Sequence, residues 1–171
     1  IYFIMSRLAD ITIIIPSYNR QNYVLRQLAF WSQYQVICHV LDGSNKPIAE
    51  HFLKDFNNNV HYHHLDISLE DRFGFAIKLI QTDYSCLLSD DEFFLPSSLE
   101  SCIREIETHD LIACKGRAIG FNYIEKSKKV CGLLAYPEFY NYTIDHCTSE
   151  ERLNVHMSNY VMACLWSLTR S

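Results

Sequence analysis

The sequence predicts an α/β fold: a three-layer α/β/α sandwich with a mostly parallel central sheet, followed by a hairpin and a mixed C-terminal third. Three observations carry that expectation. Near-continuous apolar runs alternate with amphipathic stretches through the first two thirds of the chain, as in strands buried on both faces and joined by crossover helices. Of 171 residues, 49% are apolar and 20% charged, which supports a sizeable core and excludes a disordered segment. Neither a repeat period nor a linker interrupts the pattern, so a single domain over residues 1–171 is expected.

The elements follow in order. Ile11–Ile15 is β-branched and bounded by Pro16, a buried strand. Val24, Leu25, Leu28 and Trp31 recur at helical spacing after the turn Ser17–Arg20. Val36–Leu41 is a second strand, stopped by Asp42-Gly43-Ser44-Asn45, and Lys46–Phe56 reads as a helix with Pro47 in its first turn. Val60–Leu65 is a third strand, and Leu69, Phe73, Ala76, Ile77 and Ile80 mark the next helix face. Tyr84–Leu88 is a fourth strand, Pro96 opens a helix through Leu99, Ile103 and Ile106, and Leu111–Cys114 is a fifth strand. Beyond it, Phe121–Ile124 and Val130–Tyr136 flank polar residues as a hairpin, Ser149–His156 is helical, and Tyr160–Thr169 forms a last strand.

Charge and composition narrow the function classes. Fifteen Lys+Arg against twenty Asp+Glu leave a net charge of −5, the wrong sign for a protein that works by gripping nucleic acid. The longest apolar run, Ile11–Pro16, is far below the roughly 20 residues a membrane helix needs, so no transmembrane segment is expected. Residues 1–4 lack the basic region and cleavage site of a signal peptide. The seven cysteines are dispersed, form no C-x-x-C pair and sit largely in apolar stretches. That usage suits a reducing compartment, and a cytoplasmic location is expected.

In an open α/β sheet, ligands bind outside the carboxyl ends of the strands, and three polar clusters fall there. Pro16-Ser17-Tyr18-Asn19-Arg20 follows the first strand, Asp42-Gly43-Ser44-Asn45 the second, and Ser89-Asp90-Asp91-Glu92 the fourth. Each alone is ordinary turn chemistry; the coincidence on one rim points to a site. Consecutive carboxylates repel unless protons or a cation relieve them, and Mg2+ or Mn2+ takes one or two carboxylates with phosphate and water completing its shell. The bland alternative is a solvated loop, or acids capping the helix at Pro96. Asp42 is placed to accept bonds from a base or ribose, or to close an Asx turn with Gly43. Arg20 and Arg72 are cations for a diphosphate or surface ion-pair partners. His61 and His63 share a strand face beside His64 without an evident third metal ligand, and a plain polar face is the better reading.

In order, Ile11–Arg20 with its Pro-Ser-Tyr-Asn-Arg turn, Val40-Leu-Asp-Gly-Ser44, and Tyr84–Glu92 followed by Pro96 resemble the family-2 glycosyltransferases, inverting enzymes with the Rossmann-like GT-A fold. The resemblance covers residues 10–115 and implies a nucleotide-sugar donor half there, with residues 116–171 a partial acceptor half that is cut short. It implies that Pro16, Ser17, Tyr18, Asn19, Arg20, Asp42, Ser44, Arg72 and Asp90 surround the nucleotide-sugar, and that Asp91 and Glu92 hold Mn2+ or Mg2+. One departure is plain: Ser89 stands where the first Asp of the family's D-x-D motif falls. The implied activity is metal-assisted, inverting hexosyl transfer from a nucleotide-diphospho-sugar, UDP-sugar favoured, to a hydroxyl on an unspecified glycan, lipid or protein. Asp145 is the candidate general base, with Glu150 and Glu151 as alternatives that read equally as the acidic first turn of a helix capped by Ser149. The competing expectation is a non-catalytic nucleotide-sugar-binding or scaffold domain derived from such an enzyme.

Overall fold

A computed structural model describes residues 6–135, 143–158 and 167–171. Its central strand, β1 (Ile11–Ser17), pairs in parallel with β2 (Ile37–Asp42) on one side and β4 (Tyr84–Leu87) on the other, and β3 (Val60–His64) adds in parallel outside β2. The sheet order is β3-β2-β1-β4-β8-β5, with β5 (Ala113–Lys115) at the edge and β8 (Ser167–Arg170) antiparallel between β4 and β5. The sheet is therefore mostly parallel, as expected, with one antiparallel insertion. A separate hairpin of β6 (Ala118–Ile124) and β7 (Lys129–Ala135) lies outside it.

Helices α1 (Gln21–Trp31) and α3 (Pro96–Thr108) cover one face, burying Val24, Leu28, Trp31, Leu99, Ile103 and Ile106 against Ile11, Ile13, Ile15, Cys38 and Val40. Helix α2 (Leu69–Ile77) covers the other, where Ala76 and Phe75 meet Ile14 and Leu41. Ser68 caps α2, its Oγ accepting from Asp71 N at 3.1 Å. At the end of α3, Asp110 takes φ 50° and Leu111 N donates to Ile106 O at 2.9 Å. This is the left-handed cap that glycine usually supplies.

Pro16 does not end its strand. It lies inside β1 in register with Leu41, and by alternation its nitrogen faces the β4 side. There the pairing has ended, with Leu88 N bonded to Ile14 O, so the missing donor leaves no gap in the ladder.

The stretch Lys46–Phe56 corrects the helix expected there: only Glu50–Phe52 form a single 3-10 turn. Ala49 is extended at φ −65°, ψ 135°, and Ile48 N donates to Tyr62 Oη at 3.0 Å. A tertiary bond thus holds the extended segment against the sheet.

Helix α4 (Ser149–Ser158) forms as expected, but its cap is Thr148, not Ser149. Glu151 N donates to Thr148 Oγ1 at 3.2 Å, and Thr148 N donates back to Glu151 Oε2 at 3.0 Å, a reciprocal capping box. The aromatic run 136–142 and most of the strand expected over 160–169 lie outside the described residues. Among the described residues no helix is long and apolar enough to cross a membrane.

Candidate functional site

The chain runs β1 to β2 to β3 on one side of β1 and then returns to place β4 on the other. That reversal opens a crevice at the carboxyl ends of β1, β2 and β4, and the three clusters meet there. Ser17 Oγ donates to Asp90 Oδ2 at 2.7 Å, Asn19 N donates to Ser44 Oγ at 2.7 Å, and Arg20 reaches both Asp90 Oδ1 at 3.0 Å and Asp91 Oδ2 at 2.9 Å. Residues Asn19–Tyr23 and Ser44–Lys46 line an open cleft of about 530 Å³. The first turn of α1 forms one wall, bringing the positive end of a helix dipole to it. Asn19 turns the chain into that wall at φ 56°, a left-handed conformation Asn tolerates better than most residues.

Asp42 is fully buried. Its Oδ1 accepts from Ser44 N at 2.9 Å and from Ser44 Oγ, and its Oδ2 accepts from Tyr62 Oη at 2.7 Å. The carboxylate thus closes an Asx turn whose amide is that of Ser44, and it shapes the second loop from beneath. Burial, reinforced by the adjacent Asp42, holds the Tyr62 phenol above its usual range. His64 Nε2 donates to Ser44 O at 2.6 Å, the only role a carbonyl partner allows that nitrogen.

Arg72 is buried too, with Nη1 donating to Ser17 O at 2.7 Å and Leu41 O at 2.9 Å. It ties the ends of β1 and β2 together and carries a positive charge under the crevice. Its Nε has no hydrogen-bond partner. Gly43 fits this packing closely: a Cβ there would lie 2.6 Å from Arg72 Cζ, so the guanidinium would have to shift. Tyr18, just before the cleft-lining residues, is 55% exposed.

The acidic turn is a real turn, with Glu92 N bonded to Ser89 O at 3.3 Å. It does not cap α3, whose first turn contains no acid and whose N-cap is Leu95. Asp90 is buried with both oxygens engaged, whereas the Asp91 side chain is 43% exposed and gives one oxygen to Arg20. Among the described residues no group of three His, Cys, Asp or Glu side chains could hold a metal ion. The acidic turn by itself offers a cation few ligands, so most of its shell would have to come from phosphate and water. The donor set does not fit a cage made by protein alone.

Gln27 and Trp31 complete the site, and the sequence reading passes over the role of both. Gln27 is fully buried; its Nε2 donates to Glu92 O at 2.6 Å and Asp90 O at 3.0 Å, while its Oε1 accepts from Trp31 Nε1 at 2.9 Å. The available signal was a glutamine on the apolar face of α1, spaced with Val24 and Trp31.

Asp145, in contrast, is exposed. Glu150 is exposed, and Glu151 serves the cap, its carboxyl held below the usual range by the Thr148 bonds. The histidines form a cluster with an added member from β2. His39 Nδ1 lies 3.0 Å from His63 Nε2, and His39 stacks on His61 with ring centroids 4.6 Å apart. Burial, then the neighbouring His61 and His63, push the His39 imidazole down to about 4.

Residues 12–162 match the family described as Glycosyl transferase family 2. Among solved structures, the fold is similar to that of S. aureus TarS 1–349 and of the same protein in complex with UDP-GlcNAc. Each matches with a TM-score of 0.50 and 15% identity over 60% of this chain, covering 34% and 32% of the respective TarS chains. The chain therefore spans about a third of the TarS chains it matches, and at this identity the likeness is one of fold. No curated protein sequence matches the chain.

Proposed function

This chain belongs to glycosyl transferase family 2, and from that premise we propose that it binds a nucleotide-diphospho-sugar in the crevice and transfers the sugar, with inversion, to an acceptor hydroxyl. The observation that carries this reading is the meeting of Ser17, Arg20, Ser44, Asp90 and Asp91 beside the N-terminus of α1. The α1 amides, Arg20 and Lys46 suit the diphosphate, and buried Arg72 adds positive potential beneath it. Pro16, Tyr18 and Asn19 frame the nucleotide, and Asp42 acts by holding the Ser44 loop in shape. Residues 10–115 are the donor half in this reading and residues 116–171 part of the acceptor half.

Asp91 and Glu92 would hold Mn2+ or Mg2+, which when bound neutralises charge developing on the diphosphate leaving group. The acceptor hydroxyl attacks the anomeric carbon from the face opposite the diphosphate, and a carboxylate takes its proton. Asp145 is proposed for that last role on its position after the hairpin. UDP is the first nucleotide to try, since a protein of similar fold was captured with UDP-GlcNAc.

The test is a thermal melt with UDP and Mn2+. Binding at a hundredfold excess over Kd stabilises by about 2.7 kcal/mol, a rise of roughly 5–11 °C at this size, and Asp91→Ala should abolish the metal-dependent part. Absence of a shift with every nucleoside diphosphate, with and without metal, overturns the reading. A second reading, a binding domain without turnover, is favoured by the Arg20 pairing of Asp90 and Asp91. Measurable donor hydrolysis or transfer eliminates it.

A further inference from the structure

We propose that Gln27 is a positioning residue for the donor site: anchored by Trp31, its amide sets the backbone of the acidic turn and hence where Asp91 and Glu92 stand. This rests on the function proposed above and extends it to a residue that touches neither donor nor cation. The orientation of the amide is not ambiguous. Trp31 Nε1 can only donate, so the Gln27 oxygen faces it, and the NH2 group must face the turn. Its two hydrogens go to Glu92 O at 2.6 Å and Asp90 O at 3.0 Å, with Ser89 O more distant at 3.5 Å.

These carbonyls converge because the turn reverses the chain between β4 and α3, and without Gln27 the buried Asp90 O loses its side-chain donor. Water is a poor substitute, since Gln27 and Trp31 are fully buried among Val24, Leu28 and Leu99. The side chains of Asp90 and Asp91 are held from the other side by Ser17 and Arg20. The turn is therefore fixed twice, its side chains by the first loop and its backbone by α1. If Arg20 leaves Asp91 for a phosphate, the Gln27 bonds to the turn backbone persist together with the Ser17 bond to Asp90.

The experiment pairs amide exchange with nucleotide binding in Gln27→Met and Gln27→Glu. In Gln27→Met, exchange at Glu92 N should accelerate by at least about tenfold, while protection at Gly43 N and Cys38 N, in β1–β2–β3, stays unchanged. In the same variant the Kd for UDP with Mn2+ should weaken by about 10–100-fold, the usual effect of losing an outer-shell partner, with Kd for UDP alone unchanged. Gln27→Glu keeps the acceptor for Trp31 but turns a carboxylate toward the carbonyls. Its Glu92 exchange, corrected for intrinsic pH dependence, should be fast at pH 7 and return toward wild type near pH 5 as the introduced carboxyl gains a proton and donates. Unchanged exchange at Glu92 overturns the proposal, as does exchange that rises equally throughout the sheet with no selective effect on metal-dependent binding. Wild-type protein that binds no nucleotide overturns the proposed function instead; selective Glu92 exchange and its recovery at low pH then still decide whether Gln27 sets the turn. Should Gln27→Met fail to fold, the pH recovery of Gln27→Glu decides the same point.

Discussion

Gly43→Ala tests how the two loops of the crevice are locked together. Gly43 has no positive φ, so alanine meets no backbone strain, and the whole effect comes from what the new methyl group touches. It would lie 2.6 Å from Arg72 Cζ and 2.9 Å from both Nη1 and Nη2. The guanidinium is the far end of a flexible side chain, but it is tethered: Nη1 donates to Ser17 O at 2.7 Å and to Leu41 O at 2.9 Å. Moving aside breaks at least one charge-assisted bond, each worth about 1.5–3 kcal/mol, and leaves a strand-end carbonyl buried. The expected loss is about 2–3 kcal/mol by equilibrium urea denaturation, or roughly 4–12 °C in Tm. The decisive arm is the same substitution in an Arg72→Met background. With no guanidinium to displace, alanine should be neutral or stabilise by up to about 1 kcal/mol through the unfolded chain, giving a coupling of at least about 2 kcal/mol. A single-variant loss under about 0.5 kcal/mol, or an equal loss in both backgrounds, refutes the steric lock.

Two further predictions concern pH and backbone. His39 is buried and titrates near 4 in the fold against about 6.5 unfolded, so the unfolded chain takes up its proton first. The stability it contributes is complete above pH 6.5 and is lost as pH falls toward 4, at about 1.4 kcal/mol per unit. Urea melts should therefore show a loss of about 2 kcal/mol between pH 6.5 and pH 5, with His63, also shifted down, acting in the same direction. His39→Leu should flatten that slope, and a slope unaltered in the variant would show that other groups are responsible. At Asn19, with φ 56°, Asn19→Val should cost about 1–3 kcal/mol and Asn19→Gly no more than a few tenths. Equal costs for the two would mean that backbone strain is not what selects asparagine there.

What could be read from the sequence was whatever depended on local period and composition. The strands β1, β2 and β4 declare themselves as apolar runs, and α1, α2 and α3 by the spacing of their buried residues. Turn chemistry then placed the three clusters at strand ends, and the right-handed parallel topology was enough to bring them together. Features decided by partners distant in sequence were not legible. The Lys46–Phe56 stretch has a helical composition, but Ala49 is extended and Ile48 is tied to Tyr62, fourteen residues later. The antiparallel insertion of β8 between β4 and β5 follows from no local property of either strand. For Asp42 the sequence allows both a ligand contact and an Asx turn, and local residues do not decide between them. The burial of Asp42 depends on Tyr62 and Ser44 arriving from β3 and the second loop. Gln27 was passed over for the complementary reason: a lone polar residue on an apolar helix face acquires meaning only when its partners are known.

The Ser89 departure takes on a different weight once these contacts are combined. An aspartate at position 89 would add a charge to a turn where one guanidinium already faces Asp90 and Asp91. With serine there, Arg20 and the three acids sum to −2, a charge that one divalent cation offsets. Asp90, buried and spent on Ser17 and Arg20, acts as the turn's internal strut, leaving the more exposed Asp91 as the side chain able to change partner. In the proposed function Arg20 and the cation compete for Asp91, and the donor diphosphate resolves the competition by offering Arg20 a second anion. Cation binding should consequently be weak in the absence of nucleotide and strengthen with it. By linkage the nucleotide must then gain from the cation by the same factor. A calorimetric titration of Mn2+ with and without UDP measures both halves of that equality. Tight Mn2+ binding by the nucleotide-free protein would show that Arg20 does not guard the site.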